Sequence, residues 1–148
     1  MGFNRSSMWL MLGGTLLVLL GLLSGGLVAT RPAYFANPRM AVSSHLVALL
    51  NGLLLLALGL LIRRCTAPRM LAILAGLALF GGFGNWLGTL VASLYNTRTF
   101  TGVYGGERAA ERWREMLAGG LLGTSGFASV LACLILLWLL WRRPQEFA

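Results

Sequence analysis

One histidine, two asparagines in apolar surroundings and one tyrosine are the residues of this 148-residue chain whose types could do chemistry. His45 stands near the start of SSHLVALLNGLLLLALGLL, residues 43–61, and Asn51 follows it six residues on. Asn85 lies in GFGNW, and Tyr95 closes the same apolar run. Imidazole and amide are costly in hydrocarbon, so an apolar segment that keeps them has a use for them. The imidazole can be a ligand, a proton carrier, or a polar group resting at headgroup level. The amides can line a cavity or join helices by hydrogen bonds.

What is missing narrows the chemistry. Cys65 and Cys133 show no metal-binding spacing and no disulfide framework. With a single histidine, a site needing several His or Cys ligands is excluded, whereas a cofactor needing one axial ligand is not. The apolar runs hold no carboxylate pair and no nucleophile beside a base, which leaves hydrolysis without apparatus. They also hold no acid with which a transporter could couple protons or cations.

The elements that must position these residues are membrane helices. Hydrophobic residues make up 57% of the chain and charged ones 11%, against roughly 25% charged in globular domains. The charges cluster and leave four charge-free runs, residues 8–29, 45–62, 70–95 and 116–141. Each can cross a hydrocarbon core of about 30 Å. The fold class that follows is an all-α membrane protein, a bundle of four transmembrane helices forming one domain over residues 1–148. The basic residues are all arginines that flank the spans, which suits lipid headgroups and not nucleic acid. The arginines divide evenly between the two sides, and three glutamates on one side place both termini in the cytoplasm. The first apolar run ends LVATRP without a cleavage site, so it reads as an uncleaved helix. The Met1-Gly2 start with Ser6 also fits a myristoylation pattern, superfluous beside a membrane span.

Along the chain, Gly14, Gly21 and Gly25 form a stripe suited to close packing. Pro32 and Pro38 stop helix in the first loop, Tyr34 and Phe35 suit the interface, and Ser43 or Ser44 can cap the second helix. At ~100° per residue, Leu49, Gly52, Leu56 and Gly59 share the face of His45. The glycines leave a flat surface for a planar ring or another helix. Asn51 points about 120° away and lies ~9 Å deeper, beside an adjoining cavity. On the third helix Gly81, Asn85, Gly88, Ala92 and Tyr95 make another stripe, with Asn85 ~15 Å below Tyr95. His45 and Tyr95 are expected at one level, so that the polar groups converge on one pocket. The segment Arg63–Arg69 reads as a tight basic turn, and GERAAERWREML as a helical extension of the fourth span with Arg108–Glu111 and Arg112–Glu115 pairs. Gly119, Gly123 and Gly126 form a stripe on that span, which Trp138, Trp141, Arg142 and Arg143 anchor.

The segments ANPRMAVSSHLVALLNGLLLLALGLL and FGNWLGTLVASL, taken together, resemble the hydroxylaminobenzene mutase family of small bacterial membrane proteins. The His-x5-Asn-Gly pattern and the later Gly-x-Gly-Asn are also similar to styrene oxide isomerase, a haem b enzyme with four spans in a trimer. The resemblance implies His45 as axial ligand to haem iron, with Asn51 and Asn85 lining the substrate site. It implies cationic partners for haem propionates, for which Arg39 and Arg31 lie nearest in sequence, and a homotrimer in the bacterial inner membrane. The isomerase carries a tyrosine four residues after its second asparagine, where this chain has Thr89; Tyr95 is the available phenol. That departure favours the mutase reaction, in which an arylhydroxylamine becomes a 2-aminophenol with iron as Lewis acid. A close alternative is epoxide-to-aldehyde isomerisation of the styrene oxide isomerase type, and the alternative of a different class is a non-catalytic four-helix membrane protein.

Overall fold

The computed structural model of the chain describes residues 4–98 and 110–142. Four helices follow one another, α1 (Arg5–Thr30), α2 (Pro38–Leu61), α3 (Pro68–Tyr95) and α4 (Arg112–Arg142), with a 3₁₀ turn at Pro32–Tyr34. All four are long and apolar enough to cross a membrane, and no strand occurs among the described residues. The expected all-α bundle is therefore observed. Large side chains such as Leu12, Leu23, Leu50 and Leu54 face outward. A helix apolar on every side is stable only where its exterior is also apolar, which makes this a multi-pass membrane protein. The Met1-Gly2 start, Arg108 of the expected Arg108–Glu111 pair, and Arg143 lie outside the described residues.

The helices begin earlier than the charge-free runs. Asn4 caps α1 by accepting from the Ser7 amide at 2.8 Å. Its own amide donates to the Ile62 carbonyl at 2.6 Å, and the Ser7 hydroxyl donates to the Gly59 carbonyl at 2.7 Å. The start of α1 is thereby tied to the end of α2. At the other end, α2 is not capped by Ser43 or Ser44. Asn37 is the cap, accepting from the Met40 amide at 3.1 Å, and Pro38 is the first helical residue. Proline at that position loses nothing, because the first helical N–H has no intrahelical acceptor. His45 therefore sits two turns inside α2, about 10 Å from its start, and not in the first turn. Tyr34 is exposed as expected, but Phe35 is buried.

The helices run as antiparallel neighbours in chain order, and small residues set the contacts of α1 with α2. A Cβ built on Gly14 would stand 2.7 Å from the Gly52 carbonyl, and one on Gly52 would stand 2.8 Å from the Gly14 carbonyl. Gly59 approaches the Ser7 carbonyl in the same way. The flat surface below His45 thus receives α1 and not a planar ring, so Gly52 is a helix-packing residue. Because backbone cannot retreat as a side-chain tip can, Gly52→Ala is expected to cost about 1–3 kcal/mol. A lower midpoint of thermal unfolding in detergent would show it; an unchanged midpoint would contradict this contact.

Between α3 and α4, Gly81 and Gly84 receive Ser129 and Ser125, and Gly88 receives Leu122. The α4 seam is Ala118, Ser125, Ala132 and Leu139, a seven-residue repeat in which alanine and serine already allow close approach. The Gly119, Gly123, Gly126 stripe does not form that seam. Gly119 is buried, but Gly123 is exposed and Gly126 meets nothing within 4 Å.

Candidate functional site

The imidazole of His45 is fixed by α1. Its Nδ1 lies 2.7 Å from the Gly21 carbonyl oxygen. A carbonyl can only accept, so Nδ1 carries a proton, and in the neutral ring the lone pair is then on Nε2. No described residue hydrogen-bonds Nε2. One turn further along α1, a Cβ on Gly25 would stand 2.5 Å from the ring, so the ring occupies the space that a larger residue would fill. Metal-bound histidines are commonly held this way, with the far nitrogen donating to a carbonyl that sets ring orientation and tautomer. The donor set therefore fits a cofactor with one axial nitrogen ligand. Arg31 and Arg39 are exposed near the same end of the bundle, and neither has an acidic partner among the described residues.

Gly21 and Gly25 were visible in the sequence as a packing stripe. Their link to His45 was not, because it depends on the register of α1 against α2. The Gly25→Ala substitution is expected to push the ring off the Gly21 carbonyl, weakening binding of any iron cofactor at Nε2. A changed absorption spectrum of purified protein would report this; an unchanged spectrum would separate Gly25 from the ligand.

Asn51 lies on another face of α2. It lines a groove of about 200 Å³ whose floor is α3 at Leu74, Ala78 and Gly82 and whose far wall is α4 at Ser129, Cys133 and Leu136. The Asn51 amide donates to the Gly82 carbonyl at 3.4 Å, longer than the usual ~2.7–3.2 Å, so the amide is weakly held. Below Asn51 the α2 wall is Leu54, Leu55 and Leu58. The groove is thus apolar over most of its length and polar at one end. An aromatic ring suits the first part, and a heteroatom substituent suits the second.

Asn85 stands one turn beyond Gly81 and Gly82, past the polar end of the groove. Its side-chain amide has no hydrogen-bond partner among the described residues. The Asn37–Ser93 contact at 2.9 Å and the Asn51–Gly82 contact fix the register of α2 against α3. Interpolating between them puts Asn85 at a depth between His45 and Ala48. Asn85 thus stands about one turn from Asn51 in depth and does not line the Asn51 groove. His45 does not share the face of Asn51, since Nδ1 turns to α1 and Asn51 turns to α3 and α4.

Tyr95 does not share the level of His45. It is the last residue of α3, and the register sets it near Asn37, about two turns above. Its ring lies 5.9 Å from that of Trp113, and the Arg114 guanidinium stands 4.5 Å from its centroid. The early start of α2 explains the difference, because it carries His45 deeper while Tyr95 stays at the helix end. Nearby, Arg114 pairs with Glu111 at 3.4 Å, and Glu115 accepts from the Arg98 amide at 2.9 Å. Thr89 offers no free proton to the site, because its hydroxyl turns back to the Asn85 and Trp86 carbonyls at 3.0 and 2.9 Å.

Comparison with known proteins adds chemistry to this geometry. The family model of styrene oxide isomerase matches residues 6–141. Hydroxylaminobenzene mutase HabB of Ectopseudomonas oleovorans is 36% identical over 138 residues, covering 90% of this chain and 80% of that protein. Hydroxylaminobenzene mutase HabA of the same organism is 38% identical over 88 residues, 59% of this chain and 62% of that protein.

Proposed function

The chain belongs to the styrene oxide isomerase family and is an isomerase, and from that premise we propose that it converts an arylhydroxylamine such as hydroxylaminobenzene into a 2-aminophenol. The observation that carries this reading is the groove with one polar end. It suits a flat aryl group bearing a single small heteroatom substituent.

The reaction is an isomerisation in which the N–O bond breaks, a C–O bond forms at the ortho carbon, and the displaced ring proton ends on a heteroatom. No atom or electron is gained. Haem b, held through Nε2 of His45, would supply a Lewis acid that draws electron density from the departing oxygen. Arg31 and Arg39 would pair with its propionates. Asn51 has one N–H only weakly engaged, a second N–H and a carbonyl oxygen, so it can hold the substrate oxygen from either side. Asn85 supplies a further amide with no protein partner. Leu54, Leu58, Leu74 and Leu136 hold the ring and keep water from competing for the cationic carbon.

His45 and Asn51 face apart on α2 by about 120°. This separation, with the outward-facing Gly120 and Gly126, supports a homo-oligomer, here a trimer, in which neighbouring copies complete the site. The reading places the protein in the bacterial inner membrane with both termini cytoplasmic. Product analysis tests the function. Purified protein given hydroxylaminobenzene is expected to yield 2-aminophenol. Formation of 4-aminophenol, the product of water attack on a released cation, or no conversion at all, would overturn it.

A further inference from the structure

Ser129 faces the groove from α4 at its polar end, opposite Asn51. Its hydroxyl donates its one proton to the Ser125 carbonyl at 2.9 Å. A serine oxygen so engaged has only lone pairs left to offer, so the α4 wall presents an acceptor. The α2 wall differs, because Asn51 presents both N–H and carbonyl. No carboxylate or second hydroxyl lines this cavity, and the Cys133 thiol is only a weak donor and acceptor, so Asn51 and Ser129 are its strong polar side chains.

We propose that Ser129 is the residue that selects nitrogen-bearing substrates, by accepting a hydrogen bond from the N–H of an arylhydroxylamine or arylamine while Asn51 holds the oxygen. This rests on the mutase reading and deepens it, since it assigns the wall that distinguishes the two reactions. An arylhydroxylamine carries donors on nitrogen and oxygen, so both walls are satisfied. An aryl epoxide carries one acceptor oxygen and no donor. Asn51 can meet it, but Ser129 finds no donor to accept from. The preference is thus encoded by the direction of a hydroxyl proton, which the Ser125 carbonyl sets.

The test compares two probes of similar shape, 4-fluoroaniline with an N–H donor and 4-fluorotoluene without one. Fluorine NMR measures their binding to the full-length protein, with protein-free micelles as the blank. The native chain is expected to favour the aniline by about five- to tenfold, the equivalent of one neutral hydrogen bond. In Ser129→Ala the preference should fall to near one, with fluorotoluene binding kept within about twofold. Ser129→Thr, whose hydroxyl also bonds back to the preceding turn, should restore it. An unchanged preference in Ser129→Ala, or loss of both probes together, would overturn the proposal. The mutase reading fails separately: a native chain that shows the preference but makes no 2-aminophenol would leave Ser129 as the selector of a different amine chemistry.

Discussion

On the proposed haem reading, His45→Ala should abolish haem absorption and lower turnover of hydroxylaminobenzene by more than ~10³-fold, because His45, the proposed ligand of the Lewis acid, is the one histidine of the chain. Among the described residues no cluster of three or more His, Cys, Asp or Glu exists to take over that role. The variant should nevertheless fold. What the bundle loses is one hydrogen bond to the Gly21 carbonyl, about 1 kcal/mol, while the glycine contacts between α1 and α2 remain. Removing the ring also leaves a slot beside Gly25 of about its own size. Added imidazole is therefore expected to restore part of the absorption and part of the activity. Full activity in the variant, with no haem band in either protein, would remove iron from the account and leave the imidazole with a packing role.

Asn51→Ala should behave in the opposite way. It faces the groove between α2, α3 and α4, away from the α1 contact that fixes His45. Haem absorption should thus be retained while kcat/KM falls about 10²–10³-fold, the usual loss when one preorganised hydrogen-bond donor is removed from developing charge. The hydrogen bond it forfeits to Gly82 is long, so stability should change little. Loss of haem in this variant would instead make Asn51 a structural residue joining α2 to α3. Comparing the two variants separates the group proposed to hold iron from the group proposed to orient the substrate.

Much of this was legible in the sequence. Four charge-free runs gave four spans, because hydrocarbon penalises charge so heavily that its absence marks each crossing. The relative depth of Asn51 and Asn85 followed from antiparallel neighbours and a fixed rise per residue, but which groove each lines did not. The depth of His45 was misjudged because Pro38 looked like a helix stop, whereas proline begins a helix as readily as it ends one. The place of Tyr95 followed from that error. The glycine face holding Gly52 suits a planar ring or a helix, and spacing alone cannot say that a helix approaches it. The link between His45 and Gly21, and the turning of the Ser129 hydroxyl toward Ser125, were not readable at all. Both depend on where one helix slides against another or on how a rotatable proton settles.

The most direct test gives detergent-purified protein hydroxylaminobenzene and styrene oxide in parallel, under one set of conditions, with His45→Ala beside the native chain. The expected result is 2-aminophenol from the first substrate, little or no aldehyde from the second, and neither product from the variant. Aldehyde from styrene oxide with hydroxylaminobenzene left intact would contradict it.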